Sequence, residues 1–537
     1  MNSPTATFWD GLLIGGQVHN SSSSSRDSIA ASFARAAEVN ANVVLAPVSW
    51  AQFEPEEGRF DTTLVDAMLR EARGRGLRLG LLWFGAFKNA TSVYAPSWVR
   101  ADPDRFPRAR IGEGGRQLFS YAGAMPKPVL SVFSETLRRR DGDAFHALLA
   151  HVAETDTEGT VVFVQVENEV GLLADSRDRS SLADAAWSGE VPPALLAHVA
   201  GAEAGSLVLA LWEKQGRPAH GTWAQVFGED LGAEEVFMAW SFGAYVEHVA
   251  ARGRQALNVP LTVNAWLGPQ PGQDEPGQYP SGGPASRVLD VWRVAAPTID
   301  LRCPDIYVDD AEAAMRTYAA DGRPLFIPEM RPRVADVARA IGTFGALGVS
   351  TFGVDDLAAE GLIAGLFSYV KALAADIAIA RAEGRLAAAV VEAGEVHASS
   401  SIGDLAIDVH DGPRLFHEML LDAGVDAPAH APVLPDETLP GASVPAPADS
   451  RPFVLVIAER DDTLLVVGRG AMIDVRSGSG PLEIDAVEEL LVRDGSIVPG
   501  RVLNGDERLL VLPSERVGAA RIRLLPVPVS EDATRPR

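Results

Sequence analysis

Two short stretches of the sequence place acid groups where a buried strand should end. In Val164-Gln165-Val166-Glu167-Asn168-Glu169-Val170-Gly171 an apolar run passes straight into polar positions, two of them carboxylates. In Leu325-Phe326-Ile327-Pro328-Glu329-Met330-Arg331 a second apolar run ends in a single carboxylate. Such groups are costly at a strand end unless they line a polar pocket or meet a partner. Arg331 offers Glu329 the structural alternative of an ion pair. If the two segments face one another across a pocket, the chemistry that suits them is glycoside hydrolysis. One carboxyl must hold a proton for the leaving oxygen while the other stays ionised to attack the anomeric carbon. A separation of about 5–5.5 Å would give retention through a covalent intermediate, and about 6.5–9.5 Å would give inversion.

The elements that must position these groups can be read from the apolar runs. Candidate strands are Leu12–Gly16, Val43–Pro47, Leu77–Trp83, Val161–Val166, Leu261–Asn264, Ile299–Ile306, Leu325–Pro328 and Ser350–Gly353. They are short and apolar almost throughout, as strands covered on both faces must be. Between them lie helical stripes, such as Leu64, Val65, Met68, Leu69 and Ala72, or Phe145, Leu148, Leu149 and Val152. Strands alternating with helices in this number predict a (β/α)8 TIM barrel over residues 1–388. Glu169 and Glu329 then end the fourth and seventh strands, on opposite sides of the barrel's C-terminal end, where catalytic residues of such barrels sit. An open doubly wound sheet is the alternative. It is weakened by Gly15-Gly16-Gln17-Val18-His19-Asn20, which carries neither phosphate-loop pattern.

Residues 389–537 have a different character. Short strands such as Leu405–Val409, Phe453–Ile457, Leu464–Val467, Leu482–Ile484, Leu509–Leu512 and Ile522–Leu525 are separated by Asp-Gly, Asn-Gly and Ser-Gly turns. They predict an all-β accessory domain. A stretch at about 423–452 carries prolines at 428, 432, 435, 440, 445, 447 and 452 and is expected to be a long loop. The alanine-rich segment Leu373–Ala389 reads as helix up to the domain boundary.

Composition narrows the partners. With 72 acidic against 47 basic residues the net charge is −25, which disfavours nucleic acid and anionic membranes. A neutral small oligosaccharide or glycoside is compatible with it, and assembly into a homo-oligomer stays open. The lone Cys303 leaves no internal disulfide and no cysteine-based zinc site, and the histidines form no H-E-x-x-H cluster. Neither metal nor cofactor is expected. The N-terminal residues lack a basic segment followed by an apolar one, and no apolar run approaches membrane-spanning length, so the expected location is cytoplasmic.

The motifs also carry a resemblance. Gln165-Val166-Glu167-Asn168-Glu169-Val170-Gly171 resembles the acid/base motif of glycoside hydrolase family 35 β-galactosidases, and family 42 has a similar Asn-Glu pair. Pro47-Val48-Ser49-Trp50-Ala51-Gln52-Phe53-Glu54-Pro55-Glu56-Glu57-Gly58-Arg59-Phe60-Asp61 extends it, as do Leu81–Asn89 and Tyr94-Ala95-Pro96-Ser97-Trp98-Val99. The tail segments Phe453–Gly468 and Val498–Glu507 resemble the β-rich C-terminal domain of a bacterial subgroup of family 35. The resemblance implies a retaining exo-β-glycosidase, foremost a β-galactosidase, with Glu169 as acid/base and Glu329 as nucleophile. It further implies that Asn168 bonds the sugar 2-hydroxyl and that Tyr307 orients Glu329. Glu54 and Asn264 would contact sugar hydroxyls, with Trp50, Trp83 or Trp266 as stacking platforms. Two departures bear on the sugar more than on the reaction: Val170 stands where tyrosine is common, and Gln17-Val18-His19 replaces a Gly-Glu-containing loop.

Other readings of the same residues stay open. The tryptophans and Tyr307 can equally be core residues. Asp355-Asp356 suit a loop or helix cap, His19 a hydrogen-bonded loop position, and Lys88 a surface or supporting place unless the substrate bears a carboxylate. A β-glucosidase or a transglycosylase could use the same two glutamates. A carbohydrate-binding barrel without catalysis is the alternative of another class, which the presence of both carboxylates and Asn168 argues against.

Overall fold

A computed structural model describes residues 11–88, 94–112, 129–202, 204–425, 437–438, 445–446, 449–505 and 511–527. The strands of the first half are β1 (Leu13–Gln17), β2 (Val43–Ser49), β3 (Arg78–Lys88), β4 (Val161–Asn168), β5 (Leu261–Trp266), β6 (Leu301–Ile306), β7 (Phe326–Ile327), β8 (Glu329–Met330) and β9 (Gly348–Phe352). All eight expected strands are present, the seventh as two pieces flanking Pro328, whose missing N–H interrupts the ladder. They form one sheet in the order β7-β9-β1-β2-β3-β4-β5-β6-β8. Because β7 and β8 are halves of one strand, that order returns to its start. This is the succession of a (β/α)8 barrel, and an antiparallel β-rich region follows it.

Two compact units make up the chain. The first comprises Asn20–Ala31 and Val44–Arg323 of the described residues. Its helices follow the expected stripes: Val65, Met68, Leu69 and Ala72 are buried on Thr63–Gly74, while Leu64 is half-buried. On Glu135–Thr155, Phe145, Leu148, Leu149 and Val152 are buried, and the Ser134 hydroxyl caps the helix by accepting from the Leu137 N–H. Gly80 of β3 lies under the Phe163 ring of β4, where a Cβ would approach to 2.4 Å. Only glycine allows that ring to fill the space between the strands.

The second unit comprises residues 11–19 of the described chain, Ser32–Val43 and residues from Pro324 onward. In it Gly15 of β1 abuts the Val43 carbonyl so closely that a Cβ would stand 1.9 Å from the oxygen. Its C-terminal strands are β10 (Leu386–Val390), β11 (His397–Ile402), β12 (Leu405–Asp411), β13 (Glu437–Thr438), β14 (Pro445–Ala446), β15 (Phe453–Arg460), β16 (Thr463–Arg469), β17 (Ala471–Ser477), β18 (Leu482–Arg493), β19 (Ser496–Val502) and β20 (Gly518–Pro526). A six-stranded sheet runs β10-β15-β16-β20-β18-β19 and a three-stranded one β11-β12-β17. Ile407, Val409 and Ile473 of the smaller sheet share a core with Val454, Val466 and Ile522 of the larger.

Two expectations need correction here. Leu373–Ala389 is not one helix: Ala374–Ala382 is helical, Gly384 turns the chain at φ +67°, and Leu386–Val390 is strand β10. A glycine in that left-handed conformation is a common helix stop. The alanines that suggested helix are there because Gly342 of the helix Val334–Gly342 presses onto β10, with room for no Cβ against Ala387 and Ala388. Leu509–Leu512 falls partly outside the described residues, and Val511 and Leu512 are bends rather than strand. Most of the proline-rich stretch also lies outside them; its described part includes the two-residue ladder of β13 with β14.

Candidate active site

The end of β4 leaves ordinary strand geometry at both carboxylates. Glu167 has φ +62° and Glu169 φ +45°, in the left-handed region that non-glycine residues enter at a cost of about 1–3 kcal/mol each. What holds them there is a ring of side chains. Gln165 is buried and donates from Nε2 to the Glu167 carbonyl at 2.9 Å and to Asn168 Oδ1 at 3.1 Å. Asn264 of β5 accepts from the Glu169 N–H at 2.8 Å. Its Nδ2 donates to Asn168 Oδ1 at 3.1 Å and to Asp305 Oδ2 of β6 at 2.7 Å. With Asn168 Oδ1 accepting twice, its amide nitrogen is left to face Glu169, at 3.4 Å from Oε2. The orientation of Asn168 thus follows from the network.

From the other side, Lys88 at the end of β3 forms an ion pair with Glu169. Both side chains are largely enclosed, 12% and 11% exposed. Lys88 reaches this position because β3 and β4 fall out of register: Trp83 pairs with Val166, yet Lys88 pairs with Asn168. Five steps along β3 therefore match two along β4, and the slack is taken up opposite Glu167. The Glu167 carboxyl accepts from the N–H groups of Ala86 at 3.2 Å and Phe87 at 2.9 Å. Burial, reinforced by the neighbouring Asp141 carboxyl, pushes the Glu167 carboxyl well above the ordinary glutamate range. Asp141 accepts from Trp83 Nε1 and from the Tyr245 hydroxyl, each at 2.8 Å.

Lys88, Asn168, Glu169, Asn264 and Asp305 are thus brought into one network spanning four neighbouring strands. Glu54 is buried and its carboxylate is engaged by the Trp50 indole and the Gly58 N–H, both at 2.7 Å; burial raises its carboxyl. Trp50 and Trp83 are wholly enclosed in tilted and edge-on packing with Trp98, Phe53 and Phe145. Neither presents a ring face for stacking on a sugar, because both indoles are used as core. Trp266 is half-buried and donates to Gln273 at 3.3 Å. Tyr307 follows β6 and is exposed. Both N–H groups of Asn264 go to protein oxygens, so its observed part is to orient the acid motif.

Glu329 belongs to the second unit, where it opens β8 directly after Pro328 and is 5% exposed. In the same unit His19 donates its backbone N–H to Asp355 at 3.1 Å and sets its two ring nitrogens against Asp355 and Asp356, at 3.2 and 3.3 Å. The loops after β1 and β9 are therefore tied by a histidine between two aspartates. Sequence reading passed over Asp141 and Asp305 and gave Lys88 only a supporting place. The signal for Asp305 was available, since it too is a carboxylate on an apolar strand. No group of three or more metal-ligating side chains occurs among the described residues.

Among solved structures, the chain is similar to β-galactosidase from Bacillus circulans sp. alkalophilus at 14% identity, with a TM-score of 0.41 over 64% of this chain and 50% of that one. The catalytic domain of β-amylase from Paenibacillus polymyxa is similar at 12% identity and TM-score 0.41, over 65% of this chain and 94% of that one. An exo-β-1,4-mannosidase, Op5Man5 from Opitutaceae bacterium strain TAV5, is similar at 14% and TM-score 0.37, over 66% and 54%. The chain thus spans about half the length of the first of these. No curated protein matches by sequence. Residues 363–512 match the family described as Domain of unknown function (DUF5597).

Proposed function

We propose that the protein is a retaining glycoside hydrolase that releases a terminal β-linked sugar, foremost galactose, from short oligosaccharides or glycosides. The observation that carries this reading is the construction around Glu169. A carboxyl group is held in left-handed backbone by Asn264 and flanked by an oriented Asn168. Strain of this kind persists only where surrounding structure over-determines it, which is typical of reacting groups. The resemblance of residues 165–171 to the family 35 motif supplies the roles and the preference for galactose.

In this reading Glu169 donates its proton to the glycosidic oxygen as Glu329 attacks the anomeric carbon. The bond to the leaving group breaks and an ester to Glu329 forms. Glu169, now a carboxylate, takes a proton from water, the resulting hydroxide equivalent attacks the anomeric carbon, and Glu329 is released. Asn168 is the donor for the sugar 2-hydroxyl, whose bond strengthens in the oxocarbenium-like transition state.

A panel of aryl β-glycosides tests this, with Glu169→Ala and Glu329→Ala beside the wild type. Glu329→Ala is expected to abolish turnover. Glu169→Ala is expected to lose about 10²–10⁴-fold on poor leaving groups and much less on good ones, which need little protonation. The first-formed sugar, followed by NMR, should keep the β configuration. Wild-type rates in Glu329→Ala would remove the nucleophile assignment, and an α product would make the enzyme inverting. Saturable sugar binding with no cleavage would point to a binding barrel.

A further inference from the structure

Glu167 contributes nothing to the bond-breaking steps above, yet it is one of the most completely buried carboxyls in the chain. It lies two residues from the proposed acid, inside the mismatch between β3 and β4. Its two oxygens take the Ala86 and Phe87 N–H groups within that mismatch. Behind it stands Asp141 of the helix Glu135–Thr155, anchored by Trp83 and Tyr245. Gly85 completes the enclosure: a Cβ there would sit 2.5 Å from Glu167 Oε1 and 2.7 Å from Asp141 Oδ1. The chain after Gly85 therefore takes its course from these two acids, and three residues later it delivers Lys88 to Glu169.

We propose that Glu167 is a positioning residue: its carboxyl group, joined to Asp141, fixes the out-of-register end of β3 and so sets Lys88 against Glu169. Two buried carboxyls can meet only if a proton lies between them. Burial and the adjoining Asp141 carboxyl shift Glu167 upward, so the shared proton is carried by Glu167. The groups facing the pair are Tyr245, also pushed up by burial and by the two acids, together with Arg138 and His248, which lie near Asp141. A neutral Glu167 donates one hydrogen bond and accepts two. Glutamine keeps the donor to Asp141 and one of the two acceptors, a carboxylate loses the donor, and alanine keeps neither.

The activity arm of the test rests on the glycosidase reading, and the other two arms do not. Full-length wild type, Glu167→Gln and Glu167→Ala are compared by mild reductive methylation of Lys88 followed by peptide mass spectrometry. They are also compared by thermal unfolding against pH, and by kcat and KM on whichever aryl glycoside the wild type cleaves. Glu167→Ala should label several-fold faster at Lys88 and lose about 100-fold in kcat with little change in KM, the scale of a small misplacement. Glu167→Gln should restore both in part, since it keeps the donor to Asp141 and one acceptor. An acid whose folded-state pKa is raised stabilises the fold at low pH, and that contribution disappears as pH rises towards the folded value. Wild type should therefore lose Tm relative to Glu167→Gln as pH rises above the ordinary glutamate range.

Unaltered Lys88 labelling in a folded Glu167→Ala would overturn the proposal. So would equal damage from Gln and Ala, or pH profiles of Tm that run parallel. If Glu167→Ala does not fold, the Glu167→Gln labelling and pH comparison decide alone. If the wild type cleaves no glycoside, the glycosidase reading fails while the labelling and unfolding arms still judge Glu167.

Discussion

Asn264 shows how much of a site can rest on one amide. Its oxygen accepts from the backbone of Glu169, and its nitrogen ties Asn168 to Asp305. The left-handed turn at Glu169 directs that N–H away from any strand ladder, so without Asn264 it would lose its buried acceptor. Asn264→Ala should accordingly act in two ways. Leaving polar groups unsatisfied costs about 1–3 kcal/mol of stability, visible in urea unfolding. Letting the acid motif drift by a fraction of an ångström should lower kcat by about 100-fold while KM changes little. Asn264→Asp restores an acceptor but places a new charge beside Asp305, so it should recover little of the rate. A large rise in KM with kcat intact would instead mean that Asn264 chiefly touches substrate, as the family resemblance implies.

At the scale of elements, the decisive feature is the slack between β3 and β4. Gly85 sits in it with no room for a side chain, so Gly85→Ala must push apart Trp83, Asp141 and Glu167. Overpacking of this kind costs about 1–3 kcal/mol, and the displaced groups lead directly to Lys88. The variant should therefore unfold at lower urea and turn over substrate more slowly, whereas Gly74→Ala, where no atom lies within 4 Å of the added Cβ, should do neither. The eight barrel strands were legible because each is an apolar run too short for a helix, and the acid motif because it breaks such a run. The register slip was not legible, since nothing in Phe84-Gly85-Ala86-Phe87 departs from an ordinary strand in composition. Its cause is Asp141, brought in from a helix 58 residues after Trp83. Leu386–Val390 was misread for a related reason: close approach of a helix selects small residues, and alanine in sequence looks like helix propensity.

At the scale of the whole molecule, the second unit draws the helix Val334–Gly342 and the C-terminal sheet into one compact body, and a partly buried charge cluster links them. Arg451, just ahead of β15, lies 2.9 Å from Asp336 of that helix, 2.9 Å from Asp449 and 3.1 Å from Glu392. Arg339 reaches Asp336 at 3.2 Å and also pairs with Glu392. Asp336 is 1% exposed, and burial raises its carboxyl despite the arginines around it. Assembling such a cluster gains little net stability, but removing one member leaves a buried charge uncompensated. Arg451→Met should therefore destabilise the fold, though by less than the about 3–5 kcal/mol of a buried charge left wholly unpaired, because Arg339 still reaches Asp336. Arg451→Lys should recover only part of that, because a single ammonium cannot replace a fork that serves three carboxylates. If the cluster couples the helix to the sheet, calorimetry of Arg451→Met should show one transition displaced to lower temperature. A β-rich segment melting ahead of an unshifted main transition would mean that the helix after β8 does not depend on the C-terminal sheet.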